Sequence, residues 1–220
     1  MARRTSLKNR RDDAATASVT VAYVKRDLPF FDPLNPDVVA GLETQVDWIL
    51  QEVGIAFHDD PKALEIWRKA RVKPEGDLIK APADWIRALC RKAPREFTQR
   101  ARNPERSVRI GGAHQVFAPI YGAPFVRDLK QGRRYGDLDS FTKLVKLVQM
   151  LPSLHHSGLV IVEPWDVPVS KRHLDMVYAH MRYTDKPHLG AITEQSRAQD
   201  SVDMAEILHG KDAMETQCVI

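Results

Sequence analysis

Two short stretches place chemically capable side chains directly after apolar runs. Glu163 and Trp165 follow Leu159-Val160-Ile161-Val162, and Thr193 and Glu194 follow the run that begins at Leu189. Side chains that directly follow such runs stand at strand ends, where the active-site residues of barrel folds sit. Tyr121 stands in a glycine- and proline-rich stretch that is long enough to reach over a cavity mouth. Glu163, Trp165, Glu194 and Tyr121 are therefore the candidate ligand-binding residues. Each also has a structural reading. Trp165 suits a packed rim, Glu194 suits the first turn of a helix where the dipole favours a carboxylate, and Tyr121 suits a hairpin anchor.

The remaining reactive residue types point away from metal or redox chemistry. His155 and His156 are adjacent, so on a strand they face opposite sides and cannot share one site. His173, His180 and His188 have no ligand spacing with one another, and no metal centre is expected. Cys90 and Cys218 lack a C-x-x-C partner, which excludes a thiolate zinc site or a disulfide framework. Both read as small buried residues in a reducing compartment. No stretch approaches the roughly 18 apolar residues of a membrane span, and no secretory apolar core follows the N-terminus. The expectation is a cytoplasmic protein without a membrane partner. The net charge of +4 is concentrated at the start: Arg3, Arg4, Lys8, Arg10 and Arg11 against Asp12 and Asp13 leave only +1 for the remainder. Without a basic stripe on the folded body, nucleic acid is not an expected partner.

Elements must position these side chains, and 43% hydrophobic composition over 220 residues is ample for a core. Residues 1–20 read as a disordered basic tail, and 21–107 as a helical N-terminal module. Asn35-Pro36 and Asp60-Pro61 are helix starts, Gly54 is a stop, and Trp48, Trp67 and Trp85 read as its core. Residues 108–136 carry hairpin chemistry, with Gly111-Gly112, Pro119, Gly122 and Pro124 between β-forming residues.

From Asp137 onward helical faces alternate with apolar runs. Asp137, Ser170 and Ser196 are the expected helix caps, the last with Gln199 as a capping box. Strand onsets near 159, 188 and 218 are spaced by about 30 residues, the length of a βαβ unit. No G-x-G-x-x-G follows any of them. The expected fold is α/β: residues 137–220 as the first units of an incomplete (β/α)8 TIM-type barrel, preceded by the helical module and the small hairpin segment. Three strands cannot close a barrel, so the sequence predicts a truncated sheet that self-associates or pairs with a complementary C-terminal fragment.

Many short motifs occur in a recognisable order. Gly112, Phe117, Pro119, Gly122-Ala123-Pro124, Val126 and Asp128 precede Gly136-Asp137-Leu138, Leu151-Pro152 and His155-His156-Ser157-Gly158. Glu163-Pro164, Asp166-Val167-Pro168, Lys171-Arg172-His173-Leu174 and Asp185-Lys186-Pro187 continue the series. From about Leu42 to the last residue the chain resembles the trimethylamine methyltransferase family of corrinoid-dependent methyltransferases. The resemblance implies a (β/α)8 barrel that moves a methyl group from a methylated amine or quaternary betaine to the cobalt of a separate corrinoid protein. It implies no cofactor bound directly, since the cobalamin travels on the partner. Members are about twice this length, and the region where some carry pyrrolysine has no counterpart here. An alternative is a non-catalytic remnant or interaction subunit that keeps the family's front half.

Overall fold

The computed structural model describes residues 24–220, so the expected disordered tail lies outside the described residues. They divide into two compact units: residues 28–95 form one, and 96–220 with the described residues up to Asp27 form the other.

In the 28–95 unit, helix α1 (Pro36–Trp48) opens as the sequence predicts. The Asn35 Oδ1 accepts the Val38 N–H at 2.9 Å, and Pro36 has no N–H to orphan. The helix widens into a π turn (Ile49–Val53) and stops at Gly54, whose φ of +83° and close approach to the Ile79 carbonyl leave no room for a Cβ. Strand β2 (Ile55–Ala56) pairs antiparallel with β3 (Leu78–Ile79), and between them α2 (Pro61–Lys69) is capped by Asp60. Helix α3 (Trp85–Cys90) carries Arg87, which bonds Glu43 at 2.6 Å and also Asp47. Trp67 lies between Phe57 and Trp85, with ring centroids 6.1 and 5.2 Å away. Trp48 does not join this cluster and is 55% exposed. It lies about 200° round α1 from Val46, off the apolar stripe. Cys90 and Cys218, expected to be buried, are both exposed.

The second unit begins with an antiparallel sheet in the order β1-β6-β5-β4, built from β1 (Val24–Lys25), β4 (Glu96–Gln99), β5 (Val108–Gly111) and β6 (His114–Gln115). β4 falls inside the stretch read as helical. Four residues are too few to display a period, and their identity as a strand comes from pairing Glu96 with Gly111 and Gln99 with Val108. A separate hairpin follows, β7 (Phe125–Asp128) with β8 (Gly132–Tyr135). Its turn is held by Asp128, which accepts the N–H groups of Lys130 and Gln131 and pairs with Arg134 at 2.5 Å. The Gln131 N–H, then Arg134, then the Lys130 N–H hold its carboxyl below the ordinary aspartate range.

Helix α4 (Leu138–Met150) is capped by Asp137, whose Oδ1 accepts the Ser140 N–H at 2.7 Å. Helices α5 (Val169–Tyr183), α6 (Gln195–His209) and α7 (Lys211–Thr216) complete the chain. Ser170 and Ser196 are not the caps expected of them. Both fall inside the first helical turn, and the cap positions are Pro168 and Glu194, neither making a side-chain cap bond. Phe141, Val145 and Val148 of α4, Met176, Val177 and Ala179 of α5 and the Leu159–Val162 run form the core.

The apolar runs alternate with helices as predicted, yet they form no parallel ladder. The Leu159–Val162 run bends, and the Ile161 N–H turns back to the Leu159 carbonyl at 3.1 Å, consuming a donor that a ladder needs. What pairing exists is short but long-range: the Ser157 N–H donates to the Pro187 carbonyl at 2.8 Å and the Leu189 N–H to the Gly158 carbonyl at 3.0 Å, joining the starts of the first two runs. Gly122 donates to Val160 and Glu163 to Ala123, and isolated parallel bridges join Ala123 to Val162 and Gln99 to Cys218. Pro164 and Pro187 remove further donors beside the runs. The fold is mixed α/β with antiparallel sheets, and the described residues do not display a barrel. Lys186, 5% exposed, ties the end of α4 to the following loop by donating to the carbonyls of Val148, Leu151 and Leu154 at 2.6–2.8 Å.

Candidate functional site

The Leu159–Val162 run delivers Glu163 and Trp165 to the outside of the core, and three local features fix them there. The Glu163 N–H bonds the Ala123 carbonyl at 2.8 Å, and the Trp165 N–H bonds the Gly136 carbonyl at 3.0 Å. Asp166 Oδ1 accepts the Leu138 N–H at 2.9 Å, so the 163–166 loop is stitched to the start of α4. Gly136 makes this approach possible: a Cβ there would lie 2.5 Å from the Glu163 carbonyl oxygen and 2.5 Å from Val162 Cγ2.

Arg172, on the first turn of α5, organises the pair. Its Nη1 lies 3.3 Å from the Glu163 carboxylate, and its Nε and Nη2 donate to the Val167 carbonyl at 3.2 and 3.0 Å. The guanidinium carbon stands 5.6 Å from the Trp165 ring centroid. On the other side, Tyr135 meets Trp165 at 5.1 Å and 58°, and Phe125 meets Tyr135 at 4.7 Å. Tyr135 and Trp165 are more than half exposed. Two open rings thus pack at an angle, with the Glu163 carboxylate, itself paired to Arg172, beside one of them, and an open aromatic face of this kind attracts a quaternary ammonium.

Of the four residues singled out from the sequence, Glu163 and Trp165 are thus brought together through Arg172. Tyr121 is 61% exposed beside the same run, next to Gly122, and has no ring contact with Trp165. Glu194 stands at the cap position of α6, where its carboxylate pairs with Arg197 at 3.4 Å. Sequence reasoning assigned no role to Tyr135 or Arg172. Arg172 stands in a quoted motif, but only the packing of α5 on the loop turns it toward Glu163.

A second polar group lies inside the unit. The three histidines His156, His180 and His188, which carry no ligand spacing in sequence, converge in the fold. Ser157 Oγ and His180 Nδ1 are 2.6 Å apart, His180 Nε2 meets the Leu159 carbonyl at 2.8 Å, and the His180 and His188 rings stack at 5.7 Å. Gln99 links the others, meeting His156 Nε2 at 3.1 Å and donating to the His188 carbonyl at 2.9 Å. Burial pushes His156 and His180 down to about 4. Burial, then the neighbouring His180, pushes His188 to about 3. All three are neutral at pH 7. Among the described residues no group of three or more His, Cys, Asp or Glu is arranged to hold a metal, and no helix is long and apolar enough to cross a membrane. Lys186 is drawn down to about 8, chiefly by burial and then by Arg106.

Comparison with known proteins identifies the family. The sequence profile of the trimethylamine methyltransferase (MTTB) family matches residues 1–220. The chain is 38% identical over 194 residues to the glycine betaine methyltransferase of Desulfitobacterium hafniense (strain Y51), covering 88% of this chain and 40% of that protein. It is 26% identical over 171 residues to the proline betaine:corrinoid methyltransferase of Eubacterium limosum, covering 72% of this chain and 34% of that protein. The chain thus spans well under half the length of these relatives. With the family profile matched from first residue to last and a relative at 38% identity, the chain belongs to the trimethylamine methyltransferase family.

Proposed function

We propose that the chain takes part in moving a methyl group from a quaternary betaine or methylated amine to the cobalt of a separate corrinoid protein, with the donor's ammonium held at Glu163, Trp165 and Tyr135. The observation that carries this reading is the open Tyr135–Trp165 corner beside the Glu163 carboxylate. In the transfer the carbon–nitrogen bond breaks, the amine leaves with the bonding pair, and Co(I) becomes methyl–Co(III). No proton has to move at the donor. The protein's task at the donor is to orient the methyl group, to which the aromatic face and the fixed carboxylate contribute. The wider architecture proposed is the (β/α)8 barrel, of which the helix-and-run alternation from Leu138 to Ile220 supplies the first units. The cobalamin belongs to the partner, and the reaction is placed in the reducing cytoplasm.

A second reading is a non-catalytic remnant or interaction subunit of the family, which binds the donor without transferring its methyl group. One assay separates the two. The chain is mixed with glycine betaine and a corrinoid protein reduced to Co(I), and the visible spectrum is followed. Conversion to methyl–Co(III) supports the first reading, betaine binding without conversion supports the second, and neither binding nor conversion refutes both.

A further inference from the structure

The β7–β8 hairpin carries a surface that the fold does not use. Its register sets Phe125 opposite Tyr135 and Arg127 opposite Arg133. Alternate residues on a strand share a face, so these four stand on one side of the ribbon. Val126 and Arg134 stand on the other, where Val126 packs on the core and Arg134 bonds Asp128 and Ser140. Two guanidinium groups directly across a two-stranded ribbon repel each other. Neither Arg127 nor Arg133 has an ion pair among the described residues, and both are exposed. Arg133 is braced over the Phe125 ring at 3.9 Å, so its charge is held in place. At the tip Leu129 is fully exposed, followed by exposed Lys130.

The charge distribution sharpens the point. Of the chain's +4, the first thirteen residues hold +3 and residues 125–135 hold +3, leaving −2 for everything else. Exposed arginines interleaved with aromatic rings are the composition of an interface centre. The face runs without a break into the candidate site, since Tyr135 touches both Phe125 and Trp165.

We propose that this face of the β7–β8 hairpin is the docking surface for an acidic patch on the protein that carries the methyl acceptor. The inference rests on the methyl-transfer reading, which requires a second macromolecule to bring its acceptor to Trp165. Unpaired Arg127, Arg133 and Lys130 steer that protein, Leu129 and Tyr135 supply apolar contact, and the site lies one ring away. A single eleven-residue ribbon beside the site suits a protein partner better than nucleic acid, which needs an extended basic stripe.

The test measures binding of the whole chain to the cobalamin-loaded acceptor protein of the Eubacterium limosum proline betaine system, by calorimetry at about 20 mM and about 200 mM salt. Binding that weakens with salt, and falls about tenfold or more in R127E/K130E with an unchanged melting midpoint, is expected. The equal charge change K62E/K73E, made in the 28–95 unit, should leave the affinity as it was. Equal loss in both variants, or no loss in R127E/K130E, overturns the assignment, as does a wild-type chain that does not bind. Hairpin-dependent binding of duplex DNA or of phosphatidylserine vesicles in place of the acceptor protein also overturns it. Glycine betaine binding, measured on the same samples, reports on the methyl-transfer reading separately: betaine bound without hairpin-dependent docking defeats only the surface.

Discussion

Lowering the pH from 7.5 to 5 should strip the 96–220 unit of much of its stability, through His156, His180 and His188. All three are at most 5% exposed, and burial holds two of them near pKa 4 and the third near 3. The unfolded chain titrates its histidines near 6.5. Between about pH 6.5 and 4 the unfolded state therefore binds protons that the folded state refuses, and stability falls as pH falls through that window. At pH 5 an imidazole with these two values contributes about 2 kcal/mol less than at pH 7.5, so the group of three accounts for about 6 kcal/mol. A typical domain has about 5–15 kcal/mol in total. Urea unfolding followed by circular dichroism at pH 7.5 and 5.0 reads the difference directly. The variant H188F removes one of the three titrating groups, along with a buried Nε2 that has no hydrogen-bond partner, and should flatten the pH slope by about a third. A urea midpoint that holds steady from pH 7.5 to 5, or an H188F slope equal to wild type, would refute the argument.

Two further perturbations probe the framework around the site. Lys186→Met leaves the carbonyls of Val148, Leu151 and Leu154 without their buried donor and should cost about 3–5 kcal/mol in urea unfolding; a loss under about 1 kcal/mol would show that water replaces the amine. Gly136→Ala drives a methyl into the Glu163 carbonyl and Val162, so it should lower stability by about 1–3 kcal/mol and weaken betaine binding. Gly41→Ala, in the open middle of α1, should instead stabilise by about 0.5–1 kcal/mol. Equal melting shifts for the two glycine variants would remove the close approach at Gly136 from the account.

The sequence made the helices legible wherever a cap and a period coincided. Asn35, Asp60 and Asp137 all cap as read, because a short polar side chain before a helical apolar stripe has few other uses. Ser170 and Ser196 misled for the same reason, since hydroxyls within the first turn look identical in sequence to those one residue before it. The apolar runs were visible as core, but run composition does not report pairing: Leu159–Val162 is buried as expected and spends a donor on its own bend. At the site, Glu163 and Trp165 were legible because they follow a run. Their partners were not, because Tyr135 and Arg172 reach them across the chain from a hairpin and a helix. The convergence of His156, His180 and His188 was invisible for the same reason, as 32 residues of chain separate the first from the last.

The central claim is that Trp165, with Tyr135 and Glu163, holds a methylated ammonium by its charge, and ligand-observed NMR on the purified chain tests it most directly. Saturation transferred from the protein to the N-methyl protons of glycine betaine reports binding. The same measurement on 3,3-dimethylbutanoate, which keeps the shape and carboxylate but replaces the charged nitrogen with carbon, isolates the cation. Cation–π attraction of about 0.5–2 kcal/mol corresponds to a preference of roughly 2- to 30-fold for betaine. Betaine binding that exceeds the carbon analogue's by this margin and is lost in W165A is the predicted result. Equal affinity for the two ligands, or betaine binding undiminished in W165A, would contradict it.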